Sequence, residues 1–359
     1  MFSMKIVFRV DSSVTIGTGH VMRCLTLAGQ LRQRKADSFF VCREMEGNVI
    51  SLIREQHFPV FTLPEVEDRR VLQWYERNWE RDARETLSLL ERHLDSADFF
   101  VVDHYGLDEK WESRVKPFAK KLMVIDDLAN RRHDCDILLD QNYVFRYRER
   151  YKDLVPPGCR QLLGPGYALL REEFFRAPRR VRNGEIRNIL VFFGGSDPTN
   201  ETEKALEALV RLEDPPAVHV VVGAANPKKK RIEEICGSYP HLFFHCQVSN
   251  LAELMNEADL AIGAGGTATW ERLFLGLPAL IVVVAENQRE LAEAVSAFGA
   301  AVNLGWSREV TPEKIFHEIS RLREDPEKVR AMAERAGELA DRDMVKTYPV
   351  LRAMMGEGR

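Results

Sequence analysis

Short apolar runs alternate with stretches of helical period along almost the whole chain. In the first half, the strand-like runs are Lys5–Val10, Ser38–Cys42, Pro59–Leu63, Phe99–Val102, Leu122–Ile125 and Ile137–Leu139. Most of the segments between them place apolar residues at helical spacing, and the longest, Val71–Leu94, is charged and predicted to be a helix that covers one face. This alternation is typical of βαβ units and predicts an α/β protein with a parallel sheet.

The alternation stops near the middle of the chain and then restarts. The segment Arg171–Arg187 is charged, contains Pro178 and an Asn183-Gly184 turn, and has no clean period, so it marks a domain boundary. After it, the predicted strands are Ile189–Phe193, Val218–Val222, Leu242–Phe244, Leu260–Ile262 and Ala279–Val284. The predicted helices are Glu201–Leu212, Lys229–Cys236, Leu251–Asn256, Ala268–Leu275, Arg289–Phe298 and a helical end, Pro312–Met355, with a break at Asp325-Pro326.

This organisation predicts two Rossmann-like domains that face a central cleft, with any active site in that cleft. A chain of 359 residues also exceeds one typical core. We expect an N-terminal domain at 1–178, a C-terminal domain at 179–340, and a last helix at 341–359 that returns to the first domain.

Composition excludes several classes of protein. The formal net charge of -4 gives no basic field that would attract nucleic acid. The 6 cysteines form no CxxC pair, which argues against a zinc ribbon or a disulfide framework and favours the cytoplasm. Apolar runs are too short for a membrane span of about 18 residues. The sequence therefore predicts a cytoplasmic protein without nucleic-acid or membrane partners.

The first chemical motif is a glycine-rich turn, Ile16–Arg23, between a predicted strand and a predicted helix. Gly17 and Gly19 allow the backbone to approach a ligand, and the helix N-terminus favours negative charge. His20 stands at the mouth of that helix, where the positive helix end disfavours a protonated ring. His20 is therefore a candidate general base that acts beside a phosphate group.

A second glycine-rich turn follows a predicted strand in the second half. Gly265 and Gly266 precede a helix that begins near Thr267, so bare amide groups there can cradle a diphosphate, with a hydroxyl from Thr267 or Thr269. Glu271, one helical turn later, can accept hydrogen bonds from ribose hydroxyls. The alternative is a glycine turn without a ligand.

Two further loops follow predicted strands of the second half. In the first, Gly195 precedes Ser196, which either caps the next helix or touches a phosphate. In the second, Asn287 and Gln288 carry amides that can read sugar hydroxyls or acetamido groups, or can start a helix.

Acidic and aromatic loops follow two strands of the first half. Asp103 or Asp126 could orient His20, and Tyr105 could contact a sugar ring. The alternatives are loop polarity without chemistry and a metal site, whose candidate ligands would be Asp103, His104, Asp126, Asp127, His133 and Asp136.

Several long stretches identify a family resemblance. They are DSSVTIGTGHVMRCLTLA, VVDHYGLD, VIDDLANRRHDCDILLDQN, LLGPGYALLREEF, VFFGGSDPTN, GAGGTATWERLFLGLPA and ENQ. In this order, over most of residues 4–300, they resemble the UDP-sugar hydrolases of pseudaminic acid biosynthesis, a GT-B-like family. The segment Val71–Leu94 is longer than the family core requires, which leaves its role open.

The resemblance implies a reaction and a division of roles. The family releases UDP from UDP-2,4-diacetamido-2,4,6-trideoxy-β-L-altropyranose, with water attacking C1 and inverting it, and it needs no metal or cofactor. His20 matches the general base, and the second domain would hold UDP. The implied binding residues are Gly17, Gly19, Arg23, Tyr105, Gly195, Ser196, Gly265, Gly266, Thr267, Glu271, Asn287 and Gln288.

Three other functions fit the same residues. One is a GT-B glycosyltransferase that uses a UDP-N-acetyl sugar donor, and another is a hydrolysing UDP-sugar 2-epimerase. The third is a nucleotide-sugar-binding protein without activity. We expect a monomer in each case.

Overall fold

The computed structural model describes residues 3–66, 70–224 and 226–357. The chain forms two compact units. The first takes the residues up to Asn142, Arg146–Leu169 and the residues from Thr347 onward, and the second takes Tyr143–Phe145 and Leu170–Lys346. The sequence predicts the boundary after residue 178 and a returning helix at 341–359. Residues 1, 2, 67–69, 225, 358 and 359 of the predicted domain ranges lie outside the described part of the chain.

The first unit is a parallel sheet, in agreement with the predicted α/β class. Within the described residues, its strands are β1 (Lys5–Val10), β2 (Asp37–Arg43), β3 (Val60–Leu63), β4 (Ala97–Asp103), β5 (Ala119–Ile125), β6 (Ile137–Asp140) and β7 (Arg160–Leu163), in the order β3-β2-β1-β4-β5-β6-β7. Its helices are α1 (Gly19–Gln33), α2 (Ile50–Glu55), α3 (Val71–Leu90), α4 (Glu109–Val115) and, much later in the chain, α14 (Pro349–Met355).

Both faces of this sheet are covered, which is why its strands are apolar runs and not alternating ones. Alternate residues of β1 enter different cores: Phe8 packs with residues of α1, α2 and α14, whereas Val7 packs with residues of α3 and α4. Trp111 of α4 is fully buried in the second of these cores.

The second unit repeats the architecture. Its short helix α5 (Glu172–Arg176) precedes a sheet whose described strands are β8 (Asn188–Phe192), β9 (Ala217–Val222), β10 (Leu242–Cys246), β11 (Leu260–Ala264), β12 (Ala279–Val283) and β13 (Ala301–Trp306), in the order β10-β9-β8-β11-β12-β13. The remaining helices are α6 (Glu201–Leu209), α7 (Lys229–Gly237), α8 (Leu251–Glu257), α9 (Ala268–Phe274), α10 (Arg289–Phe298), α11 (Pro312–Arg323), α12 (Pro326–Leu339) and α13 (Arg342–Val345).

A buried arginine holds the helix ends of the second unit. Arg182 donates hydrogen bonds to carbonyl groups at the C-terminal ends of α8 and α9, namely those of Met255, Asn256, Ala258, Leu275 and Gly276. Burial lowers the pKa of Arg182 to about 10, so the guanidinium stays charged at neutral pH and faces the negative ends of two helices.

Among the described residues, none of the helices has the length and apolar character needed to cross a bilayer.

Candidate active site

The order of strands in the first unit indicates where a ligand would bind. The chain leaves β1 toward β2 on one side, while β4 pairs with β1 on the other side. At such a switch point the loops after the two strands diverge and leave a crevice at their carboxyl ends. The loop after β1 leads to His20, and the loop after β4 carries Asp103 and Tyr105. The fold therefore brings together residues that are far apart in sequence.

His20 and Asp103 form a buried pair at this crevice. The Nδ1 atom of His20 lies 2.6 Å from Oδ1 of Asp103, and the His20 side chain is only 6% exposed. Burial opposes ionisation of Asp103, but Arg23 and His20 outweigh it and hold the pKa of this carboxyl well below its usual range. Because a carboxylate only accepts hydrogen bonds, Nδ1 must carry the proton, and Nε2 of the neutral ring is the atom able to accept one.

Arg23 stands behind this pair, one turn further along α1. Its guanidinium donates to both oxygens of Asp103, at 2.5 and 2.6 Å, and to Oδ2 of Asp127 at 2.8 Å. It also lies 3.1 Å from Nδ1 of His20, a contact that cannot be a hydrogen bond when that nitrogen donates to Asp103. Arg23 is buried and held by two carboxylates. In the structure, Arg23 therefore holds Asp103, the partner of His20. A contact between Arg23 and the substrate stays a prediction.

Tyr105 packs against the histidine ring. The two ring centroids are 4.4 Å apart and the planes are nearly perpendicular. The turn that carries Tyr105 is fixed by the amide of Gly106, which donates to Nδ1 of His104 at 2.9 Å. Gly106 has no room for a side chain, because a Cβ there would lie 2.8 Å from Cβ of Tyr75. Three consecutive residues after β4 therefore shape the surroundings of His20.

The glycine turn before His20 is stabilised by its own backbone. Gly17 has a φ of +81, a conformation that other residues adopt only with strain, and its amide donates to the Ser13 carbonyl at 2.9 Å. The Ser13 hydroxyl accepts from the amides of Thr15 and Ile16. Gly19 is the first residue of α1. These hydrogen bonds fix the conformation of the turn.

A buried ionic network below this turn was not predicted. Arg9 of β1 donates to Asp11 at 2.6 Å and to Asp82 of α3 at 2.9 Å, and Arg43 donates to Asp82 at 2.6 Å. All four side chains are inaccessible to solvent. The signal for it was Arg9 itself, because a charged residue inside an apolar strand requires a buried partner.

The other acidic loop is built differently from the one after β4. Asp126 is paired with Arg131 and accepts the Tyr151 hydroxyl at 2.9 Å, and His133 lies 2.7 Å from Glu112. Of the two candidates for orienting His20, Asp103 is therefore the one that contacts it. Asp136 accepts the backbone amide of Leu122. Within the described ranges, no three His, Cys, Asp or Glu side chains are grouped so that they could hold a metal ion.

The second unit has its own switch point, between β8 and β11. The loop after β8 contains Gly194, whose φ is +89, and Gly195. The loop after β11 contains Gly265 and Gly266. A Cβ on Gly223 would lie 2.3 Å from the Gly195 carbonyl oxygen, so the loops after β8 and β9 pack backbone to backbone. Both predicted glycine turns therefore lie where this fold binds ligands.

Asp197, and not Ser196, caps helix α6. The two carboxylate oxygens of Asp197 accept the amides of Glu201 and Thr202, at 3.0 and 2.9 Å. The capping alternative for Ser196 is thus excluded, and its contact with a phosphate stays a prediction.

Glu271 is already engaged by an arginine of its own unit. Its Oε1 atom accepts from Nε and Nη2 of Arg171, at 3.1 and 2.9 Å. Burial raises the pKa of Glu271, against the opposing charge of Arg171. Thr267 is the N-cap residue of α9, one turn before Glu271. The carboxyl is therefore oriented by Arg171, and a ribose contact stays a prediction.

Gln288 lies against the glycine turn of the second unit. A Cβ on Gly266 would be 3.6 Å from the Gln288 amide nitrogen, and the Gln288 amide oxygen accepts the backbone amide of Val284 at 3.2 Å. Asn287 is exposed in the same short turn after β12. The structure thus brings together Gly265, Gly266 and Gln288.

Comparisons with known proteins agree with this architecture. Residues 189–348 match the model of the glycosyltransferase family 28 C-terminal domain. An uncharacterized protein of Methanocaldococcus jannaschii is 29% identical over 304 residues, which are 80% of this chain and 57% of that protein. The UDP-2,4-diacetamido-2,4,6-trideoxy-beta-L-altropyranose hydrolase of Campylobacter jejuni is 28% identical over 300 residues, which are 83% of this chain and 98% of that protein.

A solved structure supports the fold. The crystal structure of MurG from Acinetobacter baumannii superposes with a TM-score of 0.64 at 14% identity, covering 99% of both chains. The resemblance inferred from the motifs is confirmed, as is the fold class. The chain has a GT-B-like α/β fold, is similar to the Campylobacter hydrolase over most of its length, and matches the glycosyltransferase family 28 C-terminal domain over residues 189–348.

Proposed function

We propose that this protein hydrolyses UDP-2,4-diacetamido-2,4,6-trideoxy-β-L-altropyranose to UDP and the free 2,4-diacetamido-2,4,6-trideoxy sugar. The observation that carries the proposal is the buried His20–Asp103 pair, with 2.6 Å between Nδ1 and Oδ1, at the switch point of the first sheet. Similarity over 98% of the Campylobacter hydrolase supports the choice of substrate. We place the enzyme in the cytoplasm and expect it to be a monomer.

In the proposed reaction, Nε2 of His20 takes a proton from water as the water oxygen bonds to C1 of the sugar. The bond between C1 and the phosphate oxygen breaks, and its electron pair leaves with UDP, so C1 is inverted. Asp103 stabilises the imidazolium that forms and keeps the ring in the required tautomer. A positioned base of this kind contributes roughly 10²- to 10⁴-fold.

The second unit would hold the leaving group. We propose that Gly195, Ser196 and the Gly265–Thr267 turn bind the diphosphate, and that Glu271 binds the ribose. The support is their position at the β8–β11 switch point together with the family resemblance. Because UDP is a weak base, amide donors at its phosphates assist departure more than a strong acid would.

The remaining candidates would contact the sugar. Tyr105 stands beside the His20 ring, and Gln288 lies on the Gly266 turn, with Asn287 next to it. We propose that the amides of Asn287 and Gln288 read the acetamido groups of the substrate, since an amide both donates and accepts hydrogen bonds.

The decisive experiment is incubation with the UDP-diacetamido sugar in ¹⁸O water and no acceptor, followed by proton NMR and mass spectrometry. We expect turnover to UDP and an inverted sugar, with ¹⁸O in the sugar and none in UDP. Turnover that requires an acceptor would identify a transferase, inversion at C2 would identify an epimerase, and binding without turnover would identify a non-catalytic protein.

Substitution of the proposed base completes the test. His20→Asn is expected to lower kcat by orders of magnitude while UDP binding persists. The matched control is His317→Asn, at an exposed position of α11 in the second unit, which should keep kcat. Normal turnover by the His20 variant would refute the assignment of the base.

A further inference from the structure

Arg272 is a buried guanidinium below the glycine turn of the second unit. It follows Glu271 on α9 and is 2% exposed. Its Nη2 atom donates to the carbonyl of Ala264, the last residue of β11, at 2.8 Å and to the Thr269 hydroxyl at 3.0 Å. Its Nε atom is buried and has no hydrogen-bond partner among the described residues.

The shape of the neighbouring backbone places this group at the switch point. A Cβ on Gly263 would lie 2.6 Å from Nη1 of Arg272 and 2.4 Å from the carbonyl oxygen of Phe192. Gly263 belongs to β11 and Phe192 ends β8. The guanidinium therefore occupies the space at the carboxyl ends of the two strands from which both glycine loops depart.

The environment of Arg272 differs from that of the buried arginines of the first unit. Arg9 and Arg43 each hydrogen-bond to the carboxylate of Asp82. No carboxylate of the described residues lies within ion-pair distance of Arg272, because the adjacent Glu271 is turned to Arg171. Burial lowers the pKa of Arg272 to about 10, with Glu271 opposing, so it remains a cation at neutral pH. An unpaired buried cation costs free energy that a nearby anion would offset.

We infer that Arg272 is a positioning and electrostatic residue for the diphosphate of the nucleotide, and that bound diphosphate supplies its missing counter-charge. This inference rests on the proposed function, since it assumes that the turn after β11 receives phosphates. Arg272 acts through the loop: it holds the Ala264 carbonyl on the buried side and presents its charge beneath the amides of Gly265 and Gly266. It selects for the charge of the ligand and not for the base.

The test compares ligands that differ in phosphate charge. Calorimetric titration measures the affinities of the full chain for UDP, UMP, uridine and inorganic pyrophosphate. For Arg272→Gln we expect UDP and pyrophosphate to bind about tenfold or more weakly, UMP less so, and uridine within about twofold. The matched control is Arg182→Gln, which removes another buried guanidinium of the same unit and should leave the ratio of UDP to uridine affinity unchanged.

The results separate the two claims. Equal losses for UDP and uridine, or unchanged UDP and pyrophosphate binding by Arg272→Gln, would overturn the inference. A wild-type protein that binds pyrophosphate through Arg272 but does not turn over the UDP-sugar would overturn the proposed function alone. Should Arg272→Gln fail to fold by circular dichroism, Arg272→Lys decides. It keeps the charge but not the planar fork, so any loss of affinity should be similar for UDP and for uridine, and a loss for UDP that exceeds the loss for uridine by about tenfold would refute the charge role.

Discussion

The Tyr75 hydroxyl donates a hydrogen bond of 2.5 Å to Oδ2 of Asp11. It joins the long helix α3 to the start of the loop that leads from β1 to His20. The same helix supplies Asp82, whose carboxylate accepts hydrogen bonds from Arg9 and Arg43. The helical segment whose role the sequence leaves open is thus built into the buried polar layer of the first unit.

Removal of this hydroxyl should destabilise the first unit. Tyr75→Phe leaves a buried carboxylate oxygen with one donor fewer, which is expected to cost about 1–3 kcal/mol. Hydrogen exchange of the β1 amides measures the effect. The control is Tyr239→Phe, at a side chain 39% exposed, which should change stability by less than about 0.5 kcal/mol. Equal protection of β1 in Tyr75→Phe and in the unmodified protein would show that the network does not stabilise this unit.

Asp103→Asn should impair catalysis without abolishing nucleotide binding. An amide can donate to Nδ1 of His20, so the ring can adopt the tautomer in which Nε2 carries the proton and cannot act as a base. Under the proposed function, kcat should fall roughly 10²- to 10⁴-fold while the Kd for UDP stays within about threefold. Asp95→Asn, at an exposed residue, serves as the control. An unchanged kcat in Asp103→Asn would show that His20 does not need Asp103 in order to act as the base.

The stability of the first unit should decline with alkaline pH because of His133. Burial disfavours its charged form, but Asp126 and Glu112 outweigh this and raise the pKa of His133 to about 9, with Arg131 paired to the same Asp126. Since this pKa is above the ordinary value of 6.5, the stabilisation is complete below pH 6.5 and is lost as the pH rises toward 9.

The folded state binds the extra proton across that window. The free energy of unfolding should therefore fall by up to about 1.4 kcal/mol per pH unit, as measured by urea titrations at several pH values. His133→Gln should flatten the dependence in this range. An unchanged slope in that variant would assign the dependence to other groups.

In the loop after β8, we expect substitution of Asp197 to lower stability and substitution of Ser196 to weaken UDP binding. Asp197→Ala removes the acceptor for two helix amides and is expected to cost about 0.5–2 kcal/mol. Ser196→Ala should change stability by less than about 0.5 kcal/mol and, if the hydroxyl meets a phosphate, should weaken UDP binding. Thermal unfolding and UDP titration of both variants provide the measurement. A stability loss at Ser196 comparable to that at Asp197 would contradict the assignment of the cap.

The sequence predicts the fold class well because burial on both faces makes most strands apolar. The strands β7 and β13 are absent from the prediction, since Arg160 and Gln161 interrupt the first and Asn303 and Gly305 the second. Helix α3 is predicted to extend to residue 94 but ends at Leu90.

The candidate site is predictable only in part. Residues that follow strands can be recognised, but the partner of His20 depends on the order of strands in the sheet. Because β4 and not β5 pairs with β1, Asp103 contacts the histidine and Asp126 does not. The role of Arg23 depends on its two carboxylate partners, and that of Arg272 on the lack of one among the described residues; sequence spacing carries no such information.

Helix α14 completes the core of the first unit with Val350, Leu351 and Met354, although it is encoded after the whole second unit. During synthesis on the ribosome, the core of the first unit therefore cannot be completed until the residues of α14 have been translated. During that interval, the core that α1 shares with α14 lacks the side chains of α14, and incompletely covered apolar surface of this kind favours association between growing chains.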